Sequence, residues 1–100
     1  MILEQADITI APGKQDEFDA AIAHGIATVI SKALGFRGAR VHKGIESPER
    51  YLLLIQWETL ENHTVDFRES PAFQAWRAIV GPFFAKPPVV EHFTLVTEAA

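Results

Sequence analysis

The run from Arg50 to Glu58, RYLLLIQWE, constrains this chain more than any other segment. It reads as a β-strand, and its centre, Tyr51-Leu52-Leu53-Leu54-Ile55, is apolar at every position. Side chains alternate between the two faces of a strand, so both faces of this one call for cover. The helices of so short a chain can cover only one of them. The chain has 100 residues, one domain by expectation, and a domain of that length buries roughly two-thirds of the surface its unfolded chain exposes. The second face is therefore expected to meet an identical chain, in an isologous homodimer.

The remaining segments supply the partners of that strand. Ile2 to Ile10 alternates: Ile2, Ala6, Ile8 and Ile10 share one face, with Glu4 the exception on it, and Leu3, Gln5, Asp7 and Thr9 share the other. Ala11-Pro12-Gly13 ends this strand. Phe18, Ala21, Ile22, Gly25, Ile26, Val29, Ile30 and Ala33 then recur at spacings of three and four, predicting a helix of about five turns from Lys14 to Leu34, stopped by Gly35. Phe36 to Ile45 is a second strand, joined to Arg50–Glu58 as a hairpin through Glu46-Ser47-Pro48-Glu49. Thr59 is placed to cap a short helix over Glu61–Phe67. Ser70-Pro71 restarts a helix that runs to Gly81-Pro82, and Val89 to Thr97 is the last strand. The order β-α-β-β-α-β selects an α+β, ferredoxin-like arrangement with a four-stranded antiparallel sheet and both helices on one face. The other face then shows Leu and Ile of the third strand beside Gln5, Asp7, His92 or Thr94, a patch that a second sheet would cover.

Composition removes several function classes. A net charge of −4 without a Lys/Arg cluster disfavours nucleic acid or an anionic membrane as the main partner. There is no cysteine, hence no disulfide, thiolate nucleophile or thiolate metal site, which fits a cytoplasmic protein. No apolar run approaches the ~20 residues of a bilayer span, and the amino terminus lacks the pattern of a signal peptide. His24, His42, His63 and His92 show no paired metal-ligand spacing, so no metal is expected. No phosphate-cradling glycine loop or nucleophile elbow is present.

Groups of chemical use concentrate between Trp57 and Trp76, WETLENHTVDFRESPAFQAW. Two Trp, two Phe, a His, an Asp and an Arg in twenty residues suggest a pocket for a flat organic molecule. His63, in the short helix, and His92, amid Val89, Val90 and Phe93, are candidate catalytic groups, and each has an alternative structural role at a surface or in the core. Asp7 is a third candidate, able to pair with Arg40, with His92, with a substrate hydroxyl or with solvent. Phe67 and Trp76 are candidate pocket walls, with Trp57 and Phe73 assigned to the core. Arg68 is a candidate for holding an anionic substrate group, against the commoner fate of a surface ion pair.

Pro12-Gly13-Lys14 with Phe18, Gly35-Phe36, the hairpin ending Trp57-Glu58, the run His63…Phe67-Arg68…Ser70-Pro71…Phe73 and Val90-Glu91-His92-Phe93 together resemble the antibiotic biosynthesis monooxygenase family, over nearly the full chain. The resemblance implies a dimeric α+β barrel of homodimers. It further implies oxidation of a phenolic or quinol-type small aromatic by O2 with no cofactor. Its haem-cleaving branch relies on an Asn, a Trp and a His whose places fall near Gln5 or Asp7, at Asp66 or Phe67, and at Trp76. The axial ligand is missing, so haem cleavage does not carry over. Two His of the quinol-oxidising branch would fall near Phe67 and Ala72, so its catalytic set does not transfer either. His63 or His92 remains as base or oxyanion partner. The alternative is a dimeric barrel that binds or senses a small apolar ligand without turning it over.

Overall fold

A computed structural model describes residues 1–100. The elements are β1 (Ile2–Thr9), α1 (Gln15–Thr28), β2 (Phe36–Lys43), β3 (Arg50–Trp57), a π-helical turn (Asn62–Phe67), α2 (Pro71–Val80) and β4 (Val89–Phe93). The four strands form one antiparallel sheet in the order β2-β3-β1-β4. This is the expected ferredoxin-like α+β architecture, and β3, the most apolar strand, lies next to the sheet's middle as its composition requires.

The core lies between sheet and helices. Ala6 and Ile8 of β1 meet Tyr51, Leu53, Ile55 and Trp57 of β3, and Phe18 and Ile22 of α1 and Trp76 and Val80 of α2 close over them. Leu52 and Leu54 point the opposite way and are half-buried. The period of two thus sends one half of the β3 apolar run into the core and the other half to the open face. Ile55 belongs with the core set, which corrects the expectation that Leu and Ile share the open face. His92 is corrected in the same way: β4 pairs it with Glu4, whose side chain faces the helices.

Several boundaries move inward. The helix α1 ends at Thr28, and Ile30–Lys32 forms a 3₁₀ turn rather than two further α-turns. The run Thr28-Val29-Ile30 is β-branched, and Thr28 Oγ1 and Ser31 Oγ donate to the carbonyls of His24 and Ala27, which disfavours continued α-geometry. The strand β2 stops at Lys43, and β4 at Phe93 rather than Thr97. Beyond Phe93 no strand partner is present, and Leu95 and Val96 are 74% and 93% exposed. Pro71 takes the first position of α2 as expected, but Ser70 spends its hydroxyl on the Phe67 carbonyl (2.6 Å) and not on a cap.

Candidate active site

The site grows from a break in the β1 pattern. Glu4 stands on the face of Ala6 and Ile8, so the strand carries a carboxyl group into the core, where Glu4 is 5% exposed. A buried carboxyl needs hydrogen-bond partners. Its neighbours across the sheet are Ile55 on β3 and His92 on β4. Trp57 reaches it diagonally, and the indole Nε1–H donates to Glu4 Oε1 at 2.9 Å.

The next partner comes from the π-helical turn. Thr59 does act as the cap of this segment: its Oγ1 accepts from the Asn62 N–H (3.1 Å), and Asn62 Oδ1 accepts from the Thr59 N–H (3.0 Å). Asn62 packs on the α-carbon of Gly35, which has φ +83°, and any side chain there would overlap it. At the other end the Arg68 N–H donates to the His63 carbonyl at 3.1 Å, five residues back. This wide turn buries His63 and Phe67 together. His63 is 3% exposed and stacks on Trp57, with ring centroids 5.4 Å apart and 15° between planes.

His63 Nε2 lies 3.3 Å from Glu4 Oε1, and His63 Nδ1 lies 2.8 Å from His92 Nε2. One of the two ring nitrogens in the latter contact carries the hydrogen. Trp57, Glu4, His63 and His92 thus form one continuous polar line through the apolar layer. Burial pushes the Glu4 carboxyl up to about 7, although the Trp57 hydrogen bond and the Arg68 charge favour its anion. Burial also drives His63 down to about 4, and Arg68 and His92 act in the same direction. His92 is lowered by burial and then by Arg68. The Glu4–His63 contact is therefore not a full ion pair near neutral pH: His63 is neutral and Glu4 exchanges its proton in that range.

Glu4 and His63 line a cavity of about 590 Å³ between the sheet and the second half of the chain. That is the size of a small-ligand site. Phe67, Phe73 and Trp76 form aromatic walls, Pro87, Pro88 and Val90 close one side, and Arg68, Arg77 and Lys86 bring positive charge. None of these three cations has a carboxylate partner. No three His, Cys, Asp or Glu side chains converge as a metal-ligand group.

Of the residues singled out in the sequence, the structure brings together His63, Phe67, Arg68 and Trp76 at the cavity, with His92 behind His63. Asp7 is not among them. It points to the opposite face of the sheet, where Arg50 engages both carboxylate oxygens (3.0 and 2.7 Å), and that hydrogen bonding lowers its pKa. Phe73, read as core, lines the cavity as well, and Trp57 holds Glu4 in addition to filling the core. Glu4 itself was missed as a site residue. Its signal was present, an acid at a core-facing position of an otherwise apolar strand face.

The profile of the antibiotic biosynthesis monooxygenase family matches residues 1–79. The uncharacterised protein YczJ of Bacillus subtilis is 40% identical over 93 residues, which are 93% of this chain and 97% of YczJ. A crystal structure from Bordetella bronchiseptica, assigned to the antibiotic biosynthesis monooxygenases, is 44% identical and superimposes with a TM-score of 0.91, covering 96% of this chain and 97% of the other. The monooxygenase ActVA-Orf6 of Streptomyces coelicolor, solved with nanaomycin D, shares the fold at a TM-score of 0.83 and 19% identity, over 99% of this chain and 90% of its own. By the extent of the family match and by these two close relatives, the chain belongs to the antibiotic biosynthesis monooxygenase family.

Proposed function

We propose that this protein is a cofactor-independent monooxygenase that oxidises a phenolic or quinol-type aromatic with O2, working as a homodimer. The observation that carries this reading is a cavity of about 590 Å³ that combines a proton-exchanging group, unpaired cations and aromatic walls. Such an oxidation requires an electron-rich anion of the substrate, because the anion gives up an electron to O2 far more readily than its acid. One oxygen atom then enters the ring carbon, and the other leaves as water with two hydrogens taken from the substrate.

Each requirement has a counterpart in the chain. Phe67, Phe73 and Trp76 offer a flat, dry surface for a planar ring. Arg68, Arg77 and Lys86 favour the anion over the neutral phenol. His63, buried and neutral, is placed to exchange a proton or to hydrogen-bond a substrate oxygen, with His92 behind it. ActVA-Orf6, which shares the fold, was solved in complex with nanaomycin D, and this supports a small organic ligand here. The homodimer rests on the half-buried Leu52 and Leu54 of the open sheet face, with the exposed Val89 and Phe93 of β4 on the same face beyond β1.

The test is oxygen uptake by purified protein treated with chelator, across a panel of quinols and anthrones. Uptake coupled to formation of the oxygenated product is expected for at least one member. Uptake from none of them, by a folded protein, overturns the proposal.

A further inference from the structure

We propose that Glu4 is the proton acceptor of this cavity, and that His63 and His92 form the path by which its proton leaves. The inference rests on the phenol-oxidising reading above, and it adds a catalytic group on β1 and a direction for the proton.

The geometry singles out one oxygen of Glu4. Both protein partners approach Oε1: the Trp57 indole at 2.9 Å and His63 Nε2 at 3.3 Å. No protein donor reaches Oε2, and yet no buried polar side-chain atom of the chain lacks a partner. Oε2 is therefore not sealed from its surroundings, and because Glu4 lines the cavity, this is the oxygen assigned here to an incoming ligand. A buried carboxyl group held on one oxygen and free on the other is oriented for one task, exchange with whatever enters.

On the other side of Glu4 the contacts continue away from the cavity. His63 Nδ1 meets His92 Nε2 at 2.8 Å, and His92, half-buried on the edge strand β4, does not line the cavity. The phenolic O–H bond breaks, its electron pair stays on the substrate oxygen, and the proton joins Glu4 at Oε2. The protonated carboxyl group turns to bring this proton from the Oε2 side to His63 Nε2, which accepts it as the His63 Nδ1–H passes to His92 Nε2, and His92 then releases its Nδ1 proton to water. O2 then oxidises the anion that remains. The charged and titratable groups facing Glu4 are His63 and Arg68 beside the π-helical turn, His92 on β4, and Arg77 of α2 and Lys86 of the last connector across the cavity. Of these, the Arg68 charge favours the ionised carboxylate, against the burial that raises its pKa to about 7.

The test uses para-nitrophenol, whose phenolate absorbs in the visible range, together with oxygen uptake on an active quinol. Near pH 7, where Glu4 is about half ionised, binding to the wild-type protein is expected to raise the phenolate fraction above that of the free probe. Glu4→Gln keeps an acceptor for Trp57, and is expected to bind the probe in its neutral form and to lose about a hundredfold to ten-thousandfold in kcat/KM. His92→Ala is expected to slow turnover by about tenfold or more and to recover it when imidazole is added to the buffer. If Glu4→Gln ionises the probe as well as wild type does, or wild type does not ionise it at all, the assignment of Glu4 is overturned. Should Glu4→Gln fail to fold, a His92→Ala protein with wild-type turnover and no response to imidazole overturns the exit path. Ionisation of the probe without oxygen uptake from any quinol would retain Glu4 as a proton acceptor and remove the oxygenase reading instead.

Discussion

Glu4 and Trp57 sit on adjacent strands, and the indole N–H of Trp57 is the one hydrogen-bond donor within 3 Å of the buried carboxyl. The consequence is mutual: the strand can carry an acid inward because the neighbouring strand ends in a tryptophan. Trp57→Phe keeps most of the apolar volume but removes that donor. A stability loss of about 1–3 kcal/mol is expected, measured by urea denaturation, because a buried polar group loses its partner. The Glu4 pKa should rise further above about 7, since the lost bond favoured the anion.

The buried pair sets a pH dependence with a definite sign. Glu4 binds its proton more tightly when folded, about 7 against 4.5, so its contribution is complete below 4.5, declines as pH rises from 4.5 to 7, and is constant beyond. His63 is depressed to about 4 from 6.5, and so opposes folding increasingly as pH falls from 6.5 to 4, with His92 acting in the same sense. The carboxyl and imidazole slopes oppose each other between 4.5 and 6.5. Glu4→Gln removes only the carboxyl slope. The variant should therefore gain on wild type by about 3 kcal/mol between pH 4.5 and 8, a value set by the shift of Glu4. A difference in denaturation midpoint that does not change with pH would contradict this.

Gly25 of α1 faces the ring of Trp76 on α2. A Cβ at Gly25 would stand 2.8 Å from Trp76 Cζ3 and 2.9 Å from Cε3, inside contact distance of a stiff ring. Gly25→Ala gains about 1 kcal/mol of helix propensity but overpacks the helix contact, which costs about 1–3 kcal/mol. Trp76 also lines the cavity, so a displaced ring would intrude on that space. Lower thermal stability, a shifted tryptophan emission and weaker binding of the ligand are expected together.

Asp7 and Arg50 form a forked pair on the open face of the sheet, and the Asp7 side chain is 29% exposed. Ion pairs that reach water contribute little. Asp7→Asn should leave the rate of oxygen uptake unchanged, in contrast to the substitutions at Glu4 and His92. A large loss of activity with retained fold would place Asp7 in the chemistry after all.

The half-buried Leu52 and Leu54 offer a test of assembly. Light scattering is expected to give twice the 11.1 kDa chain mass at micromolar protein. Leu54→Lys should shift this mass to the monomer while the circular dichroism of the sheet persists. A wild-type species of 11.1 kDa under the same conditions would exclude the dimer.

Much of this architecture was legible in the residues because period and punctuation agreed. The alternation of β1, the stripe on α1 with Gly35 behind it, and Ser70-Pro71 before α2 each have one reading, and the element order then leaves one sheet. Boundaries were less legible at Thr28 and Phe93, where β-branched residues end a helix whose apolar period continues and where a strand runs out of partners. The site was legible in part. Aromatic crowding pointed to Phe67 and Trp76, but the joining of His63 to His92 depends on β4 register, which no local pattern encodes. Glu4 was visible as a misfit and its meaning was not, because whether an inward acid is a fault or a tool depends on the distant Trp57 and His63.

The five-residue step between the His63 carbonyl and the Arg68 amide gives the loop one residue more per turn than an α-helix holds. Deleting a single residue between Thr64 and Asp66 would let the segment relax to ordinary winding, swinging the imidazole by about 100° relative to the phenyl ring that follows it. Length, and not identity, is thus the most fragile property of this stretch: many side chains could change there, while loss of any one position would unseat the imidazole from the indole beneath it.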